Sequence, residues 1–349
     1  MTESSPEQGA APSFAVIPGA QVQHVLDGRH REVVELIETA YRLHGEGQTV
    51  NPPSYFLRFP DRPSARIIAL PASVGGDVRT DGLKWISSFP ENVGRSIPRA
   101  SAVLILNDHD TGYPLACLES SIISAARTAA SATLAAERIA DARGVRPTRI
   151  GFFGTGLIAR YVHGFLAGTG WTFDEIGVYD LAVEHAAGFE EYLHRFGERG
   201  PVTRHQDAEA LIRSSDLVVF ATVAGTPHIT DPAWFDHDPL VLHLSLRDLA
   251  PEVVLAATNI VDDVDHCLKA ATSLHLAEQF TGHRNFVAGT LYDVLTGTLR
   301  PQTGRPVVFS PFGLGVLDLA LGRHVYDTIV ASDELRVVDG FFHDMRRYG

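Results

Sequence analysis

The chain has 349 residues, of which 45% are hydrophobic and 20% charged, a globular composition with ample apolar material for a large interior. That length exceeds one ordinary core and predicts two domains. The formal charge of −13 excludes a nucleic-acid partner that needs a basic stripe, while a few local arginines would still suit an anionic small molecule.

No apolar run approaches the roughly 18 residues of a membrane span, so no membrane partner is expected. Residues 1–13 are polar and without a signal-peptide layout; they read as a disordered tail on a cytoplasmic protein. Residues 14–17 form a short strand. Residues 22–44 carry Val25, Val33, Leu36, Ile37 and Ala40 at helical spacing. Segments 55–59, 66–70, 83–87 and 102–108 have β-type texture with turn signals between them, giving a mostly antiparallel sheet of about four strands. Residues 117–143 follow as a long helix rich in Ala and Ser. Cys117 and Cys267, the two cysteines, lack CxxC spacing and read as packed thiols of a reducing compartment.

From residue 149 the texture changes. Strands 149–153, 175–179, 217–221, 241–244 and 259–261 alternate with helices 157–167 and 182–196, which predicts a parallel sheet covered on both faces. A Gly-rich turn near 313 leads to a helix over 314–330 that packs back on the N-terminal domain. The fold class is α/β, with a Rossmann-type domain at 131–307. A smaller α+β domain takes 14–130 and is completed by 308–349.

The strand at 149–153 runs directly into Gly154-Thr155-Gly156-Leu157-Ile158-Ala159. Gly154 permits the tight turn, Gly156 lets a pyrophosphate approach the backbone, and Ala159 lets the helix pack on the sheet. The free N–H groups of that helix favour an anion. Thr155, Leu157 and Ile158 complete the candidate cradle. Asp180 ends the next strand, 24 residues beyond Gly156. A carboxylate there accepts ribose hydroxyls and repels a 2′-phosphate, so the expected cofactor is NAD rather than NADP. Ala221, Thr222 and Ser245 end later strands and border the same crevice; Thr222 is equally readable as a turn-capping hydroxyl.

Lys84 sits in a run of apolar and small residues, either paired and functional or an edge-strand lysine turned to water. Arg127 lies in a helix almost without other charge, as a carboxylate fork or a structural salt bridge; Thr128 beside it is a further candidate cofactor contact. Asp248 follows the strand 241–244 as a proton relay or a helix cap. The sixteen histidines show no paired spacing with acidic backing, so no metal is expected.

Together Gly82-Leu83-Lys84, Ser124-Ala125-Ala126-Arg127-Thr128-Ala129-Ala130-Ser131, the Gly154-Thr155-Gly156 turn, Asp248 and Ser310-Pro311-Phe312-Gly313…Asp318-Leu319-Ala320 resemble the ornithine cyclodeaminase/μ-crystallin family over nearly the whole chain. The runs Ser54-Tyr55-Phe56-Leu57-Arg58-Phe59-Pro60, Lys84-Trp85-Ile86-Ser87-Ser88-Phe89-Pro90 and His275-Leu276-Ala277-Glu278-Gln279-Phe280 are similar to one branch of it. That branch acts on a glutamate–diaminopropionate conjugate in siderophore and peptide-antibiotic pathways. The resemblance implies a catalytic lysine at Lys84, a carboxylate-binding arginine at Arg127, a catalytic aspartate at Asp248 and a homodimer built through the N-terminal domain. Cyclodeaminases carry a second substrate arginine where this chain has Ser54. Arg58 or Arg66 is the expected replacement, which weakens ornithine cyclisation as a reading. A non-catalytic NAD-bound protein of the μ-crystallin type is the other alternative.

Overall fold

Side chains alternate faces along a strand, and that alternation organises the first half of this computed structural model, which describes residues 12–198 and 200–342. The expected tail lies outside the described residues up to position 11. Two compact units share the chain. The first spans Met1–Asp27, Thr49–Ile123 and Asp318–Gly349; the second spans Gly28–Gln48 and Ser124–Leu317. Residues 28–48, 124–130 and 308–317, expected in the N-terminal domain, therefore belong to the second unit.

In the first unit, β1 (Ala15–Ile17), β2 (Thr49–Val50), β3 (Tyr55–Phe59), β4 (Arg62–Val74), β5 (Thr80–Ser88), β6 (Ala100–Asp108) and β7 (Pro114–Glu119) form one sheet. Their order is β1-β7-β6-β5-β4-β2, with β3 also on β4. It has seven strands, not about four. The parallel pairing of β1 with β7 and the strand β7 itself escaped the sequence pattern. Residues 117–119 lie in that strand, and the long helix begins only at Ser121. Across one face the register aligns Leu70, Lys84, Leu104 and Leu118, all buried. The C-terminal helix Gly315–Ala331 packs on that face. A Cβ at Gly82 would sit 2.8 Å from Leu319, and one at Gly322 would sit 2.1 Å from Leu104. Glycine at both positions brings helix and sheet into close contact.

The helical period of 22–44 is two helices, Gly19–Leu26 and His30–Gly45. Gly28, at φ +71°, breaks them apart.

The second unit holds β8 (Arg149–Phe153), β9 (Glu175–Tyr179), β10 (Val202–Arg204), β11 (Leu217–Phe220), β12 (Leu240–His243), β13 (Thr258–Val261), β14 (Val287–Thr290) and β15 (Val307–Ser310). All pair in parallel in the order β10-β9-β8-β11-β12-β15-β13-β14. Strands β11, β12 and β15 are buried at every position, as a sheet covered on both faces requires. Phe153 and Phe220 stack at 4.5 Å in its core, each such ring contributing about 1.5–3 kcal/mol by burial. Strand order reverses between β8 and β11, which is where an open α/β sheet binds its ligand.

Candidate active site

At that reversal Gly154 follows β8 with φ +76°, and a Cβ on it would sit 2.8 Å from the carbonyl oxygen of Ala221, just beyond β11. Only glycine fits. Beside Gly156 there is open space. Gly156 caps the helix Leu157–Gly168 without a side-chain hydrogen bond, so no side chain competes with an anion for the first-turn N–H groups. These features fit a dinucleotide pyrophosphate.

Asp180 directly follows β9, at the position expected, but its carboxylate is partly engaged. Thr155 donates its amide (2.9 Å) and hydroxyl (2.8 Å) to Oδ2, and Ala182 donates its amide to Oδ1 at 3.0 Å. Three of about four acceptor positions are filled, leaving room for one ribose hydroxyl rather than two. An open cleft of about 580 Å³ beside it is lined by Tyr179, Leu181, Arg204 and His205 among others.

Further along the same sheet edge, Asp248 is fully buried and gathers four side-chain hydrogen-bond partners. Thr222 donates to Oδ1 at 2.5 Å and Ser245 donates to Oδ2. His228 Nε2 lies 3.0 Å from Oδ1, and His243 Nε2 lies 3.3 Å from Oδ2. Burial pushes this carboxyl up, but its hydrogen bonds with His228, His243 and Ser245, together with the electrostatic influence of the His243 ring, outweigh it and hold it well below the usual carboxylate range. The helix-cap reading of Asp248 is excluded, because the following helix Pro251–Ala256 is capped by Ala250.

His243 is itself buried, with Nδ1 3.0 Å from Ser310 Oγ at the end of β15, while the His228 side chain is 42% exposed. Between Ser245 and Asp248, Leu246 adopts φ +77°, a left-handed conformation that costs a branched residue roughly 1–2 kcal/mol. Sequence reasoning missed both histidines. A histidine closing the apolar strand Leu240-Val241-Leu242 was the available signal.

Also in the second unit, half-buried Arg127 lies against Gly313: a Cβ there would sit 2.8 Å from Nη1. Thr128 Oγ1 donates to the Ser124 carbonyl at 2.7 Å. Leu157 and Ile158 open the helix, Leu157 exposed.

In the first unit Lys84 is 2% exposed and donates to Asp318 Oδ2 at 2.6 Å, with Asp318 fully buried. The water-facing alternative is thus excluded. Arg58 and Arg66 face each other across β3 and β4, and the Arg58 guanidinium lies 5.1 Å from the Phe56 ring centre. By alternation both share the face of Lys84.

A sheet of this order, with a glycine turn at its reversal, an uncapped helix start and an acid on the adjacent strand, defines a dinucleotide-binding fold. The chain belongs to the ornithine cyclodeaminase/mu-crystallin family, whose model matches residues 20–333. It is 30% identical over 317 residues to N-((2S)-2-amino-2-carboxyethyl)-L-glutamate dehydrogenase of Staphylococcus aureus, covering 86% of this chain and 90% of that one. The structure of Thermococcus litoralis Δ1-pyrroline-2-carboxylate reductase in complex with NADH and L-proline superposes with a TM-score of 0.84 at 21% identity, covering 93% of this chain and 100% of that one. An archaeal alanine dehydrogenase dimer with bound NAD gives 0.82 at 23% identity, covering 94% and 100%. The cofactor is NAD, and the enzyme is a dehydrogenase of the amino-acid class. No helix among the described residues is long and apolar enough to cross a membrane.

Proposed function

We propose that this enzyme oxidises N-(2-amino-2-carboxyethyl)-L-glutamate to 2-oxoglutarate and L-2,3-diaminopropionate, the latter feeding a siderophore or peptide natural product. The observation that carries the reading is the 30% identity, over nine tenths of its length, to the staphylococcal dehydrogenase named for that substrate. An acidic chain that sets Arg58, Arg66 and Lys84 on one sheet face also suits a substrate with three carboxylates.

When bound, NAD⁺ supplies the hydride acceptor. Arg127 holds the α-carboxylate of the glutamate half, by the bidentate geometry that guanidinium offers. Lys84, fixed by Asp318, orients a carboxylate or the attacking water. Asp248 Oδ1 takes the proton of the secondary amine as hydride leaves the glutamate Cα and a C=N bond forms. Its depressed basicity makes that protonation transient, and the proton is released to solvent on the side of the exposed His228. Water then adds to the C=N carbon, the C–N bond breaks, and the amine leaves protonated. In sum, conjugate, NAD⁺ and water give 2-oxoglutarate, diaminopropionate, NADH and a proton.

The working form in this reading is a cytoplasmic homodimer. Register places Tyr55, Ala69, Trp85 and Val103 in one row across β3 to β6. Tyr55 is 69% exposed, Trp85 40% and Val103 39%. Such an apolar row on a sheet face is suited to a second copy, and the archaeal alanine dehydrogenase of the same fold is a dimer. The test of the reading is NADH formation from the conjugate, with ornithine in parallel. Conjugate-dependent NADH supports it; proline from ornithine without net NADH, and none from the conjugate, overturns it.

A further inference from the structure

Ser88 closes β5 on the face that carries Lys84, four residues and roughly 13 Å further along the strand. Its register partners are Arg66 on β4 and Ala100 on β6. Arg58 lies opposite Arg66 in turn. The Ser88 hydroxyl is buried and accepts a hydrogen bond from Arg99 Nη1 at 2.8 Å. That bond brings the Arg99 guanidinium onto the same face and into the row that already holds Arg66.

Arg99 is half-buried and, among the described residues, makes no ion pair. The acid nearest in sequence to this end of β4, Asp61, pairs instead with Arg62 at 3.4 Å. Burial lowers the Arg99 pKa, and no acidic neighbour opposes it. A guanidinium has five N–H donors, and the partner this one has among the described residues is a neutral hydroxyl. Removing a cation from water without a counter-charge destabilises the fold. The arrangement makes physical sense when an anion arrives from outside.

We propose that Arg99, steered by Ser88, binds the γ-carboxylate of the glutamate half of the substrate and sets the preference for a dicarboxylic residue there. The proposal rests on the substrate reading given above. Of the carboxylates remote from the reacting Cα, the one on diaminopropionate has an ammonium beside it, which a row of arginines repels. The γ-carboxylate carries no such neighbour.

The test compares the conjugate with its γ-carboxamide analogue in full-length wild type, Arg99→Gln, Arg99→Lys and Ser88→Ala. Wild type should favour the conjugate in kcat/KM by about 10- to 150-fold, the range of one charged hydrogen bond. Arg99→Gln should bring that ratio to within about threefold of unity. Arg99→Lys should give an intermediate ratio, since charge remains but the fork is lost. Ser88→Ala, which removes one hydroxyl, should lower the ratio by severalfold and reports even where Arg99→Gln fails to fold. Turnover of the conjugate with a ratio unchanged in Arg99→Lys and Ser88→Ala would overturn the role of Arg99 alone. No turnover of the conjugate by wild type would overturn the substrate reading and this proposal with it.

Discussion

Replacing Asp318 by asparagine keeps its shape and removes the charge that faces Lys84. The two side chains are 2.6 Å apart and buried. At an effective dielectric of about 20, charges at that distance attract by roughly 6 kcal/mol. Part of this is offset, because the carboxylate no longer has to be desolvated. Breaking one side of a buried pair leaves a net loss of about 3–5 kcal/mol. Asp318→Asn should therefore lose about 3–5 kcal/mol in urea denaturation, and turnover should fall because Lys84 is no longer held. The double variant Lys84→Met/Asp318→Leu should recover much of that stability and none of the activity, since apolar groups of similar volume replace buried pairs well. Equilibrium unfolding by circular dichroism on the three proteins decides the matter. An Asp318→Asn protein within about 1 kcal/mol of wild type would refute the reasoning, as would a double variant no more stable than the single one.

Three other variants give further tests. Asp248→Asn should lower kcat by about 100-fold or more. Because the folded carboxyl of Asp248 is held below its ordinary value, its stabilising contribution is complete above about pH 4 and is lost as pH falls through the folded value. The stability gap between wild type and Asp248→Asn should accordingly narrow below about pH 4; a gap that widened there would contradict the assignment. Asp180→Ala should raise kcat/KM for NADP⁺ relative to NAD⁺ by roughly tenfold or more, read by initial rates with each cofactor. On the proposed homodimer, Trp85→Glu should give monomers in sedimentation at constant secondary structure, whereas a wild-type mass would remove the sheet face as the interface.

Features coded locally were legible in the sequence. The turn at Gly154, the strands Arg149–Phe153 and Glu175–Tyr179 and the acid at Asp180 stand where composition and spacing put them. Hydrophobic period and glycine placement act within a few residues of one another, so a window on the chain contains them. What stayed hidden depends on distant partners. Lys84 read ambiguously because its carboxylate is 234 residues away. The strand Pro114–Glu119 merges in sequence with the Ala-rich helix after it, and only pairing with β1 and β6 separates the two. Asp248 was legible as a candidate, but the convergence of His228 and His243 upon it is a product of sheet order. Likewise Arg99 gains meaning only when Ser88, on the neighbouring strand, turns it toward Arg66.

The central claim concerns one bond, the C–H at the glutamate Cα of the conjugate. Supplying the conjugate with deuterium at that carbon, together with NAD⁺, and measuring the products by mass spectrometry tests it directly. The account predicts deuterium in the reduced nicotinamide, with unlabelled 2-oxoglutarate and diaminopropionate. Release of glutamate that still carries the label, with an aldehyde from the other half, would show that hydride leaves from the wrong side of the nitrogen and would contradict it.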